Sequence, residues 1–136
     1  MPTAKKKAKK KTVRAKPATD PIVAFCRTLP GATEDIKWGN DLIFSVGGKM
    51  FAGMALPDCD RLSFKVDAAV FDTMTGHNGI VAAPYMARHH WVMVTDRKKV
   101  SRASLEEMIA ESHRLVAANL PRKTQKALGF ADPGAL

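Results

Sequence analysis

Between Leu42 and Val66 apolar residues recur at every second position in short runs separated by turn residues, a period that fits strands and not helices. Leu42, Phe44 and Val46 alternate with Ile43 and Ser45, and Leu62, Phe64 and Val66 alternate with Ser63 and Lys65. Gly47-Gly48 follows the first run, and a two-residue hairpin needs positive φ at both central positions, which glycine adopts without steric cost. Lys49–Leu56 shows little polar alternation, as expected of a central strand, and Pro57-Asp58-Cys59-Asp60 supplies the next turn. A further strand is predicted over Glu34–Trp38, closed by Gly39-Asn40-Asp41. Together these segments form an antiparallel β-meander.

Helical spacing brackets the meander. Asp20-Pro21 carries the signature of a helix start, and Ile22, Phe25, Cys26 and Leu29 then form one apolar stripe that ends at Pro30-Gly31. Asp67 is placed to cap a short helix with Val70, Phe71 and Met74 inward, broken at Gly76-His77-Asn78-Gly79. Trp91–Val94 is a fifth strand. Ser104-Leu105-Glu106-Glu107 has the form of a capping box, and Leu105, Met108, Ile109, Ser112, Leu115, Val116 and Asn119 continue the 3.6-residue period until Leu120-Pro121. On that helix His113 falls about 100° from the centre of the apolar stripe, a solvated flank position. Arg122–Lys126 adds a short basic turn. The order implies an α+β domain with helices packed on one sheet face.

Charge divides the chain differently. Lys5, Lys6, Lys7, Lys9, Lys10, Lys11, Arg14 and Lys16 place eight positive charges in the first sixteen residues, with no acid among them. Removing those eight from the 22 basic residues leaves 14 against 13 acidic ones, so the net charge of +9 belongs almost wholly to this arm. Residues 1–18 hold too little apolar surface to offset chain entropy and are expected to be a disordered arm, with a domain over 19–128 and a tail over 129–136. No apolar run is long enough to span a bilayer, and the N-terminus lacks the hydrophobic stretch of a secretory signal, so a cytoplasmic location is expected.

Chemistry is sparse. Cys26 lies on a core-facing stripe and Cys59 in a turn, neither belongs to a CxxC, and no Cys/His spacing suggests zinc. Walker A, GxSxG and GxGxxG patterns do not occur. Among the histidines, only the His89-His90 pair before Trp91 stands out as a candidate phosphate or metal site, and on a strand its two rings would point to opposite faces. These observations favour a non-enzymatic protein without cofactor or metal. Lysines spaced by alanines follow a phosphate backbone by charge alone, which makes DNA or another polyanion the expected partner. In the body, Arg61, Lys65, Arg88, Arg97 and Arg102 are the candidate phosphate contacts; Lys98 and Lys99 fit equally well as solvated turn charges. The alternative partner is a peptide or small molecule received by the sheet face or the Trp38/Trp91 region.

The runs LSFKVD, GIVAAPYMARHHWVMV and ESHRLVAANLPRK, with Trp38 and Lys49-Met50-Phe51-Ala52 upstream, resemble the MmcQ/YjbR family over about residues 20–126. The resemblance implies a compact CyaY-like α+β domain and a family often described as DNA-binding with a double-wing arrangement. His90 stands where many relatives have glycine, and His113 where an aromatic such as tyrosine is common. The lysine arm lies outside the resemblance.

Overall fold

A computed structural model describes residues 20–57, 59–84 and 86–130. The candidate contacts of the arm, Lys5 to Lys16, lie outside the described residues, as do 131–136 of the expected tail. Among the described residues four α-helices, α1 (Pro21–Thr28), α2 (Ala68–Thr75), α3 (Arg102–Ala118) and α4 (Arg122–Ala127), accompany six strands. The strands are β1 (Ala32–Lys37), β2 (Asp41–Val46), β3 (Lys49–Ala55), β4 (Leu62–Lys65), β5 (Ile80–Ala82) and β6 (Trp91–Val94). They form one antiparallel sheet in the order β1-β2-β3-β4-β6-β5.

The meander is therefore present, and β6 extends it beside β4 as the fifth strand of the sequence reading. The sixth strand, β5, lies between Gly79 and Trp91, where the sequence pattern marks no strand. Its three residues pair with Val94, Met93 and Val92 at the sheet edge, too short a run to show a period of its own.

Local chemistry explains the element ends. The Asp20 carboxylate accepts from the amides of Ile22 (2.8 Å) and Val23 (3.4 Å), and Pro21 occupies the first turn of α1. The β2–β3 hairpin turns on Gly47 and Gly48 at φ +58° and +83°. A side chain at Gly47 would also place its Cβ 2.6 Å from Leu120, so glycine is required there twice over. The expected capping box does not form: α3 begins three residues earlier, and Ser101 caps it by accepting from the Ser104 amide at 3.1 Å. Ser104 lies inside the first turn, because Arg102 and Ala103 before it also favour helix once Ser101 provides the acceptor.

The core lies between the sheet and the helices. Leu42, Phe44, Val46, Phe51, Leu62, Phe64, Val92 and Val94 meet Ile22, Val23 and Cys26 of α1 and Leu105, Ile109 and Val116 of α3. Cys59 is fully buried even though it lies in a turn, and burial pushes the Cys26 thiol up to about 12, aided by the Asp20 carboxylate. Cys26 therefore stays protonated near neutrality and is a poor nucleophile. Phe130 also joins the core, two residues past the expected domain end.

Two side chains depart from their helical-wheel positions. His113 is buried, not solvated: its Nε2–H donates to the Pro30 carbonyl at 2.7 Å, and its ring stands edge-on to Phe51 at 5.1 Å. The loop after α1 and the C-terminal Phe130 cover what would otherwise be a flank of α3. Val70, expected inward, is 42% exposed, and α2 instead packs through half-buried Phe71 and Met74.

Ser112 joins α3 to the sheet. The β3–β4 ladder ends at the Ala52–Phe64 pair, and one step further the Ser112 hydroxyl donates to the Phe51 carbonyl (2.7 Å) and accepts from the Lys65 amide (2.9 Å). The side chain thus takes the place of a ladder bond in a fully buried position. Ser112→Ala leaves both backbone groups without that partner and is expected to destabilise the fold by about 2 kcal/mol in urea denaturation.

Candidate binding site on the open sheet face

The helices cover one face of the sheet, and strand alternation sends a second set of side chains to the other. The register aligns Ile43, Gly53, Ser63, Met93 and Val81 in one row across β2, β3, β4, β6 and β5. Beside this row, Trp91 stands opposite Lys65. The loop after β5, with Ala83, Pro84 and Met86, folds against the same face and closes a cradle of about 260 Å³. Its floor is Gly53, flanked by Ile43 and Ser63 with Met93 beyond, and its walls include Met50, Trp91 and Trp38, with Asp41 and Arg61 as the charged groups.

Gly53 keeps the floor low, since a Cβ there would come within 3.1 Å of Ile43 Cδ1. Trp38 carries a local backbone cost. It sits in the turn between β1 and β2 at φ +53°, a left-handed conformation that disfavours bulky residues by about 1–2 kcal/mol, and it remains 71% exposed. A large aromatic held in such a conformation with most of its surface in water is unusual for a purely structural residue. The expected strand Glu34–Trp38 is in fact Ala32–Lys37, and the residue that falls outside it is this tryptophan.

A second, shallower concavity of about 420 Å³ adjoins the cradle. Met50, Met86 and Trp91 line both; Lys49, Lys65 and His89 add polar and positive groups to the second, which runs past the sheet end to Val116, Asn119 and Leu120 at the end of α3. The Lys65 ammonium donates to the His89 carbonyl at 2.7 Å, which uses one of its three N–H donors and fixes the side chain on this face.

The body's sequence-derived candidates separate accordingly. Arg61 and Lys65 are brought to the open-face groove. Arg88 is exposed on the 3-10 turn Ala87–His89 above it. Arg102 pairs with Glu106 across one turn of α3, on the helical layer. Arg97 is committed elsewhere: its guanidinium donates to Asp20 at 2.6 and 3.2 Å and to the Cys59 carbonyl at 2.9 Å, between α1 and the turn after β3. His89 and His90 do not converge. His89 faces the groove, whereas His90, at φ +64°, stands edge-on to Phe71 of α2 at 5.6 Å. That left-handed backbone is one glycine adopts freely and a side chain adopts at some cost. No group of three or more His, Cys, Asp or Glu placed to hold a metal ion occurs among the described residues. Nor is any helix among them long and apolar enough to cross a membrane.

Sequence reasoning located Trp38, Arg61, Lys65 and Trp91 but missed the floor and walls, Ile43, Met50, Gly53 and Met93. The available signal was the apolar character of Ile43, Met50 and Met93 at positions alternate to the core set, which marks a strand face that is dry on both sides.

A six-stranded antiparallel sheet with helices on one side and an apolar, aromatic-walled cradle on the other defines a small α+β domain. The YjbR family model matches residues 27–115, and the chain belongs to that family. Among solved structures it is similar to Deinococcus radiodurans protein DR2400, with a DUF419 domain, at 28% identity and a TM-score of 0.72, covering 82% of this chain and 87% of that one. A protein from Pseudomonas syringae shares the fold at 16% identity and a TM-score of 0.57, over 70% of this chain and 95% of that one. No curated protein matches the sequence.

Proposed function

We propose that this protein is a non-enzymatic nucleic-acid-binding module in which the lysine arm supplies affinity and the open sheet face supplies the structured contact. The observation that carries the reading is the position of the groove's cations: Arg61 borders the apolar cradle at one end, and Lys49 and Lys65 border the adjoining concavity. An extended polyanion crossing the face meets positive charge on either side of an apolar, aromatic centre. The eight arm charges precede α1 in the same chain and add attraction that is indifferent to sequence. The test is fluorescence anisotropy of labelled DNA with the full chain at low salt. Saturable binding weakened by Arg61→Ala and Lys65→Ala supports the reading, and absence of binding to duplex and single strand alike refutes it.

The apolar lining favours a second reading, a module for a peptide or small molecule. It is distinguished by retention of a partner in the cradle when nucleic acid has been digested and the arm removed.

A further inference from the structure

Resting on the nucleic-acid reading above and narrowing it, we propose that the open-face cradle holds an unstacked base of single-stranded nucleic acid, with Trp38 as its stacking partner. Three observations converge. First, Trp38 is a bulky side chain kept at φ +53° and 71% exposed at the lip of the cradle, so its indole face is presented to solvent at a backbone cost that packing does not explain. Second, the floor opposite is a glycine between Ile43 and Ser63 with Met93 beyond, a flat and largely apolar bed, and the volume of about 260 Å³ falls just below the roughly 300–1,000 Å³ of pockets for drug-sized ligands, which suits one ring system. Third, the cations stand at the rim of the cradle and beyond it, with Arg61 in its lining at one margin and Lys65 and Lys49 in the adjoining concavity. That arrangement matches a nucleotide whose base is dry and whose flanking phosphates are wet. Asp41, the carboxylate in the wall, supplies an acceptor for an exocyclic amine of the base.

A duplex keeps its base faces stacked and can offer one to the cradle only by flipping it out, so the site discriminates strand state where the arm does not. An apolar peptide side chain would fill the same floor but gives no reason for cations on both margins.

The experiment compares the full chain with Trp38→Ala and Gly53→Val for binding to a mixed-sequence single strand of about 15 nucleotides and to a hairpin duplex of the same composition, at one low salt concentration. Trp38 is exposed, and a Cβ added at Gly53 meets only the flexible end of Ile43; folding of both variants is verified by superimposable circular dichroism melts. The expected results are tighter binding of the single strand than of the duplex and quenching of tryptophan emission on binding the single strand. Trp38→Ala is expected to abolish that quench and to weaken single-strand binding by about 5- to 150-fold, the range set by loss of one base–aromatic stack. Gly53→Val, which fills the floor without touching charge, is expected to weaken single-strand binding selectively as well. Equal affinity for both nucleic acids, or single-strand binding unchanged in both variants, overturns the base-holding cradle while leaving nucleic-acid binding in place. No binding of either nucleic acid at low salt overturns both. Cradle variants that lose an apolar hexapeptide while keeping the single strand identify a peptide site and overturn the proposal.

Discussion

Replacing the eight arm cations with glutamine is expected to abolish most of the salt dependence of duplex DNA binding, the largest single effect available in this chain. Each phosphate neutralised releases condensed counterions, so the slope of log K against log salt is about −0.9 per contact on B-form DNA, or about −7 if all eight cations engage. Between about 50 and 200 mM salt the natural sequence then loses roughly 10⁴-fold in duplex affinity. On a single strand the slope per contact is about −0.7, and the corresponding loss is nearer 10³-fold. The body cations, chiefly Arg61, Lys65 and Lys49, add about −2 or −3 to the arm's share in the natural chain, and the substituted chain is expected to retain only that part of the slope. Anisotropy titrations across a salt series measure both slopes directly. A substituted chain with the same slope as the natural one would show that the arm is not the phosphate-binding element.

The division between arm and body also explains what the sequence could and could not disclose. Strand period, the Gly47-Gly48 hairpin and the Asp20-Pro21 helix start are local signals, and each reappears where its residues stand. His113 was misplaced because a helical wheel knows only its own helix, whereas its burial comes from Pro30 and Phe130, more than a dozen residues away on either side. The same blindness hid β5, which exists because β6 offers an edge to pair with, and the capping of α3, where two serines compete for one role. The cradle was legible only as two tryptophans. Its floor depends on register, which aligns Gly53 of β3 between Ile43 of β2 and Ser63 of β4, and no single strand carries that information.

Charge was the least legible property residue by residue. Arg61 and Arg97 look alike in the sequence, each in a turn beside a strand, yet Arg61 lines the open groove and Arg97 is held by Asp20. An arginine becomes a ligand for phosphate or a component of the fold according to whether a carboxylate is within reach of its fork. The structure therefore assigns the two residues opposite sensitivities. Arg61→Ala should alter binding and leave stability nearly unchanged, whereas the Arg97 site should respond in the reverse sense.

Asp20→Ala is expected to destabilise the fold by about 3–4 kcal/mol, because one carboxylate serves two structures at once. It caps α1 through the amides of Ile22 and Val23, and loss of such a cap costs about 1 kcal/mol. It also pairs with Arg97, and the two side chains are only 9% and 21% exposed, so the guanidinium left behind is largely desolvated and retains only its bond to the Cys59 carbonyl. Breaking a buried pair from one side costs about 3–5 kcal/mol, and partial exposure puts this pair at the low end. Asp20→Asn separates the contributions, since asparagine caps nearly as well as aspartate and removes only the charge; its cost should be about 1 kcal/mol smaller. Acidity tests the same pair independently. Burial by itself would raise the Asp20 carboxyl, but its hydrogen bonds with Arg97 and Ile22 and the guanidinium charge outweigh that and hold it below the usual 3.8. A carboxyl lowered on folding contributes its full stability above the unfolded value and loses it as the pH falls through the folded one. The difference in stability between the natural chain and Asp20→Asn, measured in urea, should therefore be constant from pH 7 to about 5 and shrink progressively below pH 4. A difference independent of pH down to pH 2 would mean that the ion pair contributes nothing and that Asp20 acts only as a cap.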